Sequence, residues 1–369
     1  MKKIILLLAA LIVSSCSYFS KNEKKIDLIP YYQKDKYGYF DLEGKIVINP
    51  QFAFASAFRD GIALVRTSGE NSKWGYIDTD GKYLINANYS SATIFQEEIA
   101  WVTTENSAPI AINKKGETLF ILKQAEEVNI FSEGLAAYSV SDSIETKWGF
   151  VDKSGKVKIN PQFNNVNSFK DGKCSVSNKE GKWGYIDESG KIIINFQFDK
   201  AFNFIDGKAV VYLDDKAGVI NSDGKYVINP QFDIIYNDGD KFLVKQDDKI
   251  GWVDSNGKFT INPQFEDAYL FGGSKLGAVK SGDQYGFIDK EGKIMINPQF
   301  EMALPFVNGK ALVKSGDKFG VIDTDGKYLV NPQFDGLSYD LFAYLSSFNI
   351  YETVYYSIES EYIDLDKIM

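Results

Sequence analysis

The sequence feature that most constrains the fold is a four-residue turn, Asp or Asn followed by any two residues and Gly, of which nine copies recur at a regular spacing. The first copy is Asp41–Gly44, the last is Asp323–Gly326, and successive glycines lie 33 to 39 residues apart. The Asp or Asn side chain can accept hydrogen bonds from backbone N–H groups two residues on, and Gly adopts a positive φ at little cost. The spacing therefore predicts one hairpin turn per unit in a tandem repeat of about 35 residues.

Short apolar segments flank each turn. The segment before it reads Lys-Trp-Gly-Tyr-Ile-Asp in the copies that end at Asp78 and Asp187. We expect its Gly to admit a neighbouring backbone at close range. The segment after the turn leads into Asn-Pro-Gln-Phe, where we expect Pro to end strand pairing by removing a donor and Phe to return to the core. This motif stands at 49–52, 160–163, 229–232, 262–265, 297–300 and 331–334.

A second aromatic residue follows many of these motifs by six positions, as Phe58 follows Phe52, and a Gly-x-Ala-x-Val segment comes next. Each unit thus predicts about three short strands and one excursion held by aromatic packing. The high aromatic content, 15%, also favours strands over helices. The fold class expected is all-β.

The repeats extend over residues 26–334, about nine units in all, and we expect residues 335–369 to form a degenerate C-terminal capping repeat. Two units depart from the pattern: the third, around residues 105–123, lacks Trp-Gly and Asn-Pro-Gln-Phe, and the sixth has Ala217-Gly218. Propeller blades usually have four strands and more residues than these units. The sequence therefore favours a curved, open β-repeat array, with a β-propeller as the alternative.

The combination of Lys-Trp-Gly-Tyr-Ile-Asp-x-x-Gly-Lys, Ile/Val-Asn-Pro-Gln-Phe and Gly-x-Ala-x-Val resembles the WG-repeat family of bacterial proteins over roughly residues 27–366. The resemblance implies β-rich tandem repeats. It implies no defined catalytic activity, and it supplies no catalytic residues to transfer to this chain.

The N-terminus predicts export and lipid anchoring. Residues 1–15 combine Lys2 and Lys3 with an apolar stretch of about ten residues, which is typical of a secretory signal. Val-Ser-Ser before Cys16 resembles a bacterial lipobox, so we expect Cys16 to be the lipidation site and residues 16–25 to be a polar tether. Ser17 after the cysteine favours the outer membrane or the cell surface of a bacterial envelope.

Composition removes several functional classes. The chain contains no His, which excludes His-dependent hydrolase mechanisms and His-ligated metals. Its net charge is −9 and it has only two Arg, Arg59 and Arg66, so nucleic acid is not an expected partner. We expect no catalytic residues, no cofactor and no metal site.

Candidate residues each have a structural reading and a functional one. The repeat Trp and Tyr could line a sugar-binding groove, but packing between repeats is the expectation, with Tyr236 and Tyr269 expected to be exposed. Cys174 is expected to be a small buried residue. Asp-x-Asp-Gly at 78–81 and 323–326 is similar to part of a calcium loop, but hairpin turns are expected there.

Adjacent acids could in principle act as a glycosidase acid and base, although solvated loop charge is expected at these pairs: Glu97-Glu98, Asp214-Asp215 and Asp247-Asp248. The function expected is therefore a membrane-anchored, non-enzymatic binding or scaffold protein of the bacterial envelope, with an unknown protein or glycan ligand. A carboxylate-dependent glycan-active enzyme and a passive envelope spacer are the alternatives.

Overall fold

The computed structural model describes residues 28–41, 44–142 and 145–337. All regular secondary structure in these residues is β-strand, so this part of the chain has no helix that could cross a membrane. The predicted signal peptide, Cys16, the whole predicted tether and most of the predicted capping repeat lie outside the described residues.

The strands form nine small antiparallel sheets, eight with four strands and one with three. In chain order the strands are β1 Ile29–Gln33, β2 Lys36–Phe40, β3 Ile46–Phe52, β4 Phe54–Ala55, β5 Ala63–Arg66, β6 Trp74–Ile77, β7 Tyr83–Tyr89, β8 Ser91–Ala92, β9 Ile99–Thr103, β10 Ile110–Asn113, β11 Thr118–Ile121, β12 Leu135–Ser141, β13 Thr146–Asp152, β14 Val157–Phe163, β15 Asn165–Val166, β16 Lys173–Ser177, β17 Trp183–Asp187, β18 Ile192–Phe198, β19 Lys200–Ala201, β20 Lys208–Leu213, β21 Lys216–Asn221, β22 Tyr226–Phe232, β23 Ile234–Asp238, β24 Lys241–Gln246, β25 Lys249–Asp254, β26 Phe259–Phe265, β27 Asp267–Ala268, β28 Gly277–Ser281, β29 Gln284–Ile288, β30 Ile294–Phe300, β31 Met302–Ala303, β32 Lys310–Ser315, β33 Lys318–Asp323, β34 Tyr328–Phe334 and β35 Gly336–Leu337.

Each sheet is one blade, and the second blade shows the plan. Its strands pair in the order β4-β5-β6-β7, which we name A, B, C and D. Strand B carries the Gly-x-Ala-x-Val segment, strand C the Trp-Gly-Tyr segment, and strand D the segment after the Asp-x-x-Gly turn. The predicted excursion therefore begins with strand A, which is separated by a single residue from strand D of the preceding blade.

The nine blades close into a ring. Strand β35 pairs with β1 and supplies strand A to the first blade, with Tyr31 opposite Leu337. Across the same junction the ring of Phe334 stacks on Phe40 at 4.2 Å, and Val330 lies against Gly44. The all-β repeat prediction is confirmed, the preferred open array is wrong, and its alternative, the β-propeller, is the observed fold.

The Trp-Gly and Asn-Pro-Gln-Phe motifs form one structural device. Even in blade 5, where Phe196 replaces the Pro, Trp183 pairs with Phe198 and Tyr185 with Ile194, so strand D gains two residues opposite Gly184 and bulges toward it. A Cβ on Gly184 would lie 2.6 Å from the Ile194 carbonyl oxygen, closer than any side chain tolerates. The expected close approach at Gly is confirmed.

The expectation that Pro ends pairing is wrong, because strand D runs through the Pro position. In the first blade, strand β3 contains Pro50, and pairing with strand β2 resumes at Phe52. Pro is tolerated because it lies in the bulge, where its missing N–H removes no ladder hydrogen bond.

The third blade shows what happens when both motifs are absent. Ile110 replaces the Gly, and it pairs with Ile121 while the next residue, Ala111, pairs with Phe120. Pairing is therefore consecutive at this position, without a bulge opposite Ile110. Gly and the two-residue bulge occur together because a side chain would collide with the bulged strand.

The core lies between blades. The aromatic residue after Trp-Gly in strand C packs on an aromatic residue 19 positions later, just after strand A of the next blade. These pairs, at centroid separations of 4.7 to 5.4 Å, are Tyr39–Phe58, Tyr76–Phe95, Phe150–Phe169, Tyr185–Phe204, Trp252–Phe271 and Phe287–Phe306.

Three of the tyrosines in this position also donate a hydrogen bond to the next blade, as Tyr76 does to the Thr93 carbonyl at 2.7 Å. Tyr236 and Tyr269 are buried as well, at 5% and 9% exposure, so the expectation that they are exposed is wrong. Their segments are strands or strand extensions that pack between blades, rather than irregular loops.

Candidate functional site

Most polar residues singled out from the sequence have structural roles. At the turn beginning with Asp78, one carboxylate oxygen accepts the backbone N–H groups of Asp80 and Lys82 at 3.0 and 2.8 Å. The same arrangement occurs at Asp323. The expected hairpin turns are confirmed at both calcium-like loops, and the described residues contain no group of acids or Cys placed to hold a metal ion.

The adjacent acidic pairs are turn residues. Asp214, Asp215, Asp247 and Asp248 all have φ between 51° and 60°, as the two-residue hairpin turns require. The four residues are exposed to solvent, as expected for loop charge. Their pairing in sequence follows from turn geometry.

Acids at the A–B turns join neighbouring blades. Both oxygens of Glu133 accept hydrogen bonds from the next blade, from the N–H groups of Asp171 and Gly172 at 2.9 Å each. Asp171 in turn accepts the Gly207 N–H at 3.0 Å. Glu97 accepts the Gly134 N–H in the same way. These acids stabilise the ring, because each satisfies backbone donors of the blade that follows.

Asp238 is the buried example. Its carboxylate accepts the Phe271 and Gly272 N–H groups and the Trp252 indole N–H, at 2.9 to 3.1 Å. Burial raises the pKa of Asp238, although these three donors favour the ionised form. The Phe271 and Gly272 donors make Asp238 a link between blades 7 and 8, while Trp252 holds it within blade 7.

A lysine–acid pair with a spacing of 17 residues also recurs, and the sequence motifs had not indicated it. Lys before the Trp-Gly position pairs with the acid just after the strand D Phe, as in Lys182–Asp199 at 2.5 Å and Lys216–Asp233 at 2.6 Å. Lys249–Glu266 and Lys318–Asp335 repeat it. The fixed spacing of 17 was the available signal.

Cys174 is fully buried, as expected. Its Sγ donates to the Asn167 carbonyl at 3.1 Å. Burial raises the pKa of the thiol, which keeps it protonated.

The remaining candidates lie where strands B and C meet next to the B–C turn. In eight blades a residue near the end of strand B pairs with the residue at the Trp position of strand C. We call these pairs the rim row: Tyr32 and Tyr37, Arg66 and Trp74, Ser139 and Trp148, Ser177 and Trp183, Tyr212 and Ala217, Lys245 and Ile250, Lys280 and Tyr285, Lys314 and Phe319.

The Trp and Tyr of the repeat therefore divide between two environments. Tyr76 and Tyr185, after the Gly, are core residues, as expected. Trp74, Trp148 and Trp183, before the Gly, are only half-buried on the rim row. Half-buried ring faces are available to a ligand, which the core residues are not.

Blades 1 and 2 bring several such rings together with an arginine. Trp74 contacts Phe54 at 5.1 Å between centroids, Phe54 contacts Tyr37 at 6.4 Å, and Tyr37 contacts Tyr32 at 4.9 Å. The Arg66 guanidinium carbon lies 5.4 Å from the Trp74 ring centroid, within cation–π range. We call these five half-buried residues the aromatic–arginine cluster.

Arg66 differs in its partners from two of the three lysines of the rim row; the third, Lys280, also lies over a ring rather than beside an acid. Lys245 pairs with Asp248 at 3.3 Å, and Lys314 lies near Glu301 at 3.5 Å. Among the described residues, the Arg66 side chain has no acidic partner, and its buried Nε has no hydrogen-bond acceptor. The cluster is therefore the candidate ligand-binding site.

The ring architecture has counterparts among solved structures. A crystal structure titled the eukaryotic initiation factor is 12% identical, with a TM-score of 0.59 over 86% of this chain and 98% of that chain. BamB from Moraxella catarrhalis is 11% identical, with a TM-score of 0.40 over 85% and 98% of the two chains. The computationally designed Ika8 protein is 11% identical, with a TM-score of 0.43 over 74% and 93%. The first likeness supports the fold alone, and no curated protein matches the chain.

The family described as WG containing repeat matches the chain eight times. The matched residues are 37–70, 74–106, 148–183, 183–216, 218–249, 250–285, 285–319 and 319–340. The gap between 106 and 148 contains the strands of the third blade that lost both motifs. Since the matches cover most of the sequence, each beginning in strand C of one blade and running into the next, this chain belongs to the WG-repeat family.

Proposed function

We propose that this protein is a non-enzymatic binding or scaffold protein, held at the membrane of a bacterial envelope by lipid on Cys16. The folded propeller would present its ligand site away from the lipid, with the tether as spacer. Acyl chains give stable anchoring without a membrane-spanning helix when more than one is attached.

The observation that carries the binding role is the unpaired Arg66 guanidinium within the half-buried aromatic cluster. Elsewhere in the described residues the prominent repeat side chains are used by the fold: turn acids accept backbone N–H groups, and aromatics after Gly fill the space between blades. A cation beside open ring faces is a feature that the fold itself does not require. It favours a ligand role over that of a passive spacer.

The enzymatic alternative needs two carboxylates that face one another across a substrate. The acidic pairs noted in the sequence occupy hairpin turns, and the buried Asp238 is held by three donors from the protein. These roles favour binding over glycan cleavage.

Anchoring is tested by growing cells that express the full chain with a clickable palmitate analogue, with Cys16→Ser as the control. We expect label on the wild-type protein and none on Cys16→Ser. Equal labelling of the two proteins would contradict the anchor.

Location and partners are tested on intact cells. Protease shaving, with a lysed-cell control, is expected to digest a protein at the cell surface, whereas protection until lysis would place it inside the envelope. Photo-crosslinking from position 37 in living cells is then expected to trap a ligand, with position 119 on strand β11 as a matched surface control. Equal trapping at both positions would contradict a specific site.

A further inference from the structure

We infer that the aromatic–arginine cluster binds a saccharide unit that carries a carboxylate, such as a uronic-acid residue of an acidic glycan. This inference rests on the proposed binding function and names the ligand class of the same site. Its basis is the local chemistry of Arg66, Trp74, Phe54, Tyr37 and Tyr32.

Arg66 supplies the anion-binding half of the argument. Its Nε is buried without an acceptor, and a buried donor left unpaired is costly. A planar guanidinium matches a carboxylate with two parallel hydrogen bonds, and its central carbon lies 5.4 Å from the Trp74 ring centroid. Because Nε is inaccessible to solvent in this structure, a ligand carboxylate would accept from it after a small outward shift of the half-buried Arg66 side chain, and would then provide the acceptor that the fold leaves out.

The aromatic rings supply the second half. Four rings follow one another from Tyr32 through Tyr37 and Phe54 to Trp74, with centroid separations of 4.9 to 6.4 Å. All four are half-buried, so they present part of a face or edge to solvent. The C–H face of a sugar ring packs well on such surfaces, because aromatic faces carry partial negative charge.

The surroundings favour a glycan over a protein partner. The exposed large apolar side chains of the described residues all lie on strands D, and none belongs to the cluster. Protein interfaces are centred on exposed apolar and aromatic anchors, whereas recessed rings with one cation suit a single flat, charged unit. The nearby Asp35, which accepts the Tyr32 hydroxyl, and the net charge of −9 disfavour polyphosphate ligands such as nucleic acid.

The test is calorimetric titration of the full chain in detergent with three probes. These are an oligogalacturonate, its methyl-esterified form and inorganic phosphate. We expect the oligogalacturonate to bind, and its esterified form to bind at least about tenfold more weakly because it lacks the charge-assisted bonds. Binding that is indifferent to esterification, or no stronger than phosphate binding, would overturn the inference.

Two matched pairs of variants locate the site. Arg66→Gln is expected to weaken oligogalacturonate binding about tenfold or more, whereas Lys280→Gln, which removes a rim-row cation in blade 8, leaves it unchanged. Trp74→Leu is expected to weaken binding, whereas Trp148→Leu, at the same position of blade 4, does not. Thermal melting of each variant distinguishes a loss of binding from a loss of folding. Arg66→Lys keeps the positive charge but not the paired N–H donors of the guanidinium, so it should retain partial affinity.

The assignment would be overturned if all four Gln and Leu variants lost binding, or if both variants of either pair kept it. A failure here is distinguishable from failure of the proposed function. If no uronate binds but crosslinking at position 37 still traps an envelope component, the binding function stands and the ligand class is wrong.

Discussion

Single glycines determine how closely strand D can approach strand C. Gly184 lies opposite the bulge of strand β18, where a Cβ would be 2.6 Å from a backbone oxygen. Gly172, in the A–B turn of the same blade, has φ +67° but open space around it. Gly184 is therefore required because there is no space for a side chain, whereas Gly172 is favoured because of its positive φ.

We predict that Gly184→Ala lowers the free energy of unfolding by about 2–4 kcal/mol, because strand D must move to accommodate the methyl group. Gly172→Ala should cost only about 1 kcal/mol, the cost of a left-handed backbone. Denaturant titration of both variants measures the difference. Equal costs would show that the bulge is not tightly packed on Gly184.

Burial predicts an unreactive thiol at Cys174. The raised pKa and full burial should protect it from alkylation at pH 8 in the folded protein. In the Cys16→Ser chain, iodoacetamide labelling followed by mass spectrometry should give no adduct in buffer and one adduct in denaturant. Rapid labelling without denaturant would place the thiol at the surface.

At the scale of elements, the A–B turns act as links between blades. Asp238 and Asp206 occupy successive A–B turns, but only Asp238 reaches into the next blade, where it accepts two hydrogen bonds; its third donor, Trp252, belongs to its own blade. Asp206 is exposed. The contrast allows the contribution of one link to be measured.

We expect Asp238→Asn to destabilise the protein by about 1–3 kcal/mol, because an amide cannot accept all three bonds and its NH₂ group faces donors. Asp206→Asn should change stability by less than about 0.5 kcal/mol. Thermal unfolding provides the comparison, and hydrogen exchange should show faster opening of strands β27 and β28 in Asp238→Asn only. A neutral Asp238→Asn would contradict the link.

At the scale of the whole molecule, closure makes the first and last segments interdependent. Strand β1 pairs with β35, and Phe334 contacts both Tyr31 and Phe40. Phe198 fills the equivalent strand D position of blade 5, away from this junction.

Phe334→Ala and Phe198→Ala should each destabilise the fold by about 3–5 kcal/mol. Only Phe334→Ala should accelerate hydrogen exchange in strand β1, because it loosens the junction that holds both ends together. Similar exchange of β1 in the two variants would indicate that closure adds little.

Acid should destabilise the ring. The Lys182 ammonium lowers the pKa of Asp199 and Lys249 lowers that of Glu266, while Ser154 lowers that of Asp152. A carboxyl group whose pKa is lowered in the folded protein stabilises the fold at pH values above its pKa in the unfolded chain, which is about 3.9 for Asp and 4.3 for Glu. That stabilisation is lost as the pH falls through the lowered pKa of the folded state.

We therefore expect the unfolding temperature to be constant between pH 6 and 8, where a chain without His has few titrating groups, and to fall below about pH 4.5. Asp238 opposes this trend, because its pKa is raised and protonation favours its folded form. Calorimetric scans across pH test the sign, and rising stability toward pH 3 would contradict it.

Much of the fold was predictable from local sequence. The Asp-x-x-Gly spacing predicted the number of units, and the aromatic residue six positions after the strand D Phe predicted a buried excursion, since both depend on residues close in sequence. The bulge was not predicted: Pro50 suggested the end of a strand, and only the paired strands show that Gly38 makes room for the inserted residues.

The sequence by itself determined the strands, the turns and the repeat, because hydrogen-bonding side chains and glycine conformations act within a few residues. The tertiary structure alone decided that the array closes. Closure depends on the angle between successive blades, because small differences in packing between blades accumulate over nine units. It also depends on the pairing of β1 with β35, some 300 residues apart in the chain. It also decided the site, since Tyr37, Phe54 and Trp74 come together only where two neighbouring blades pack.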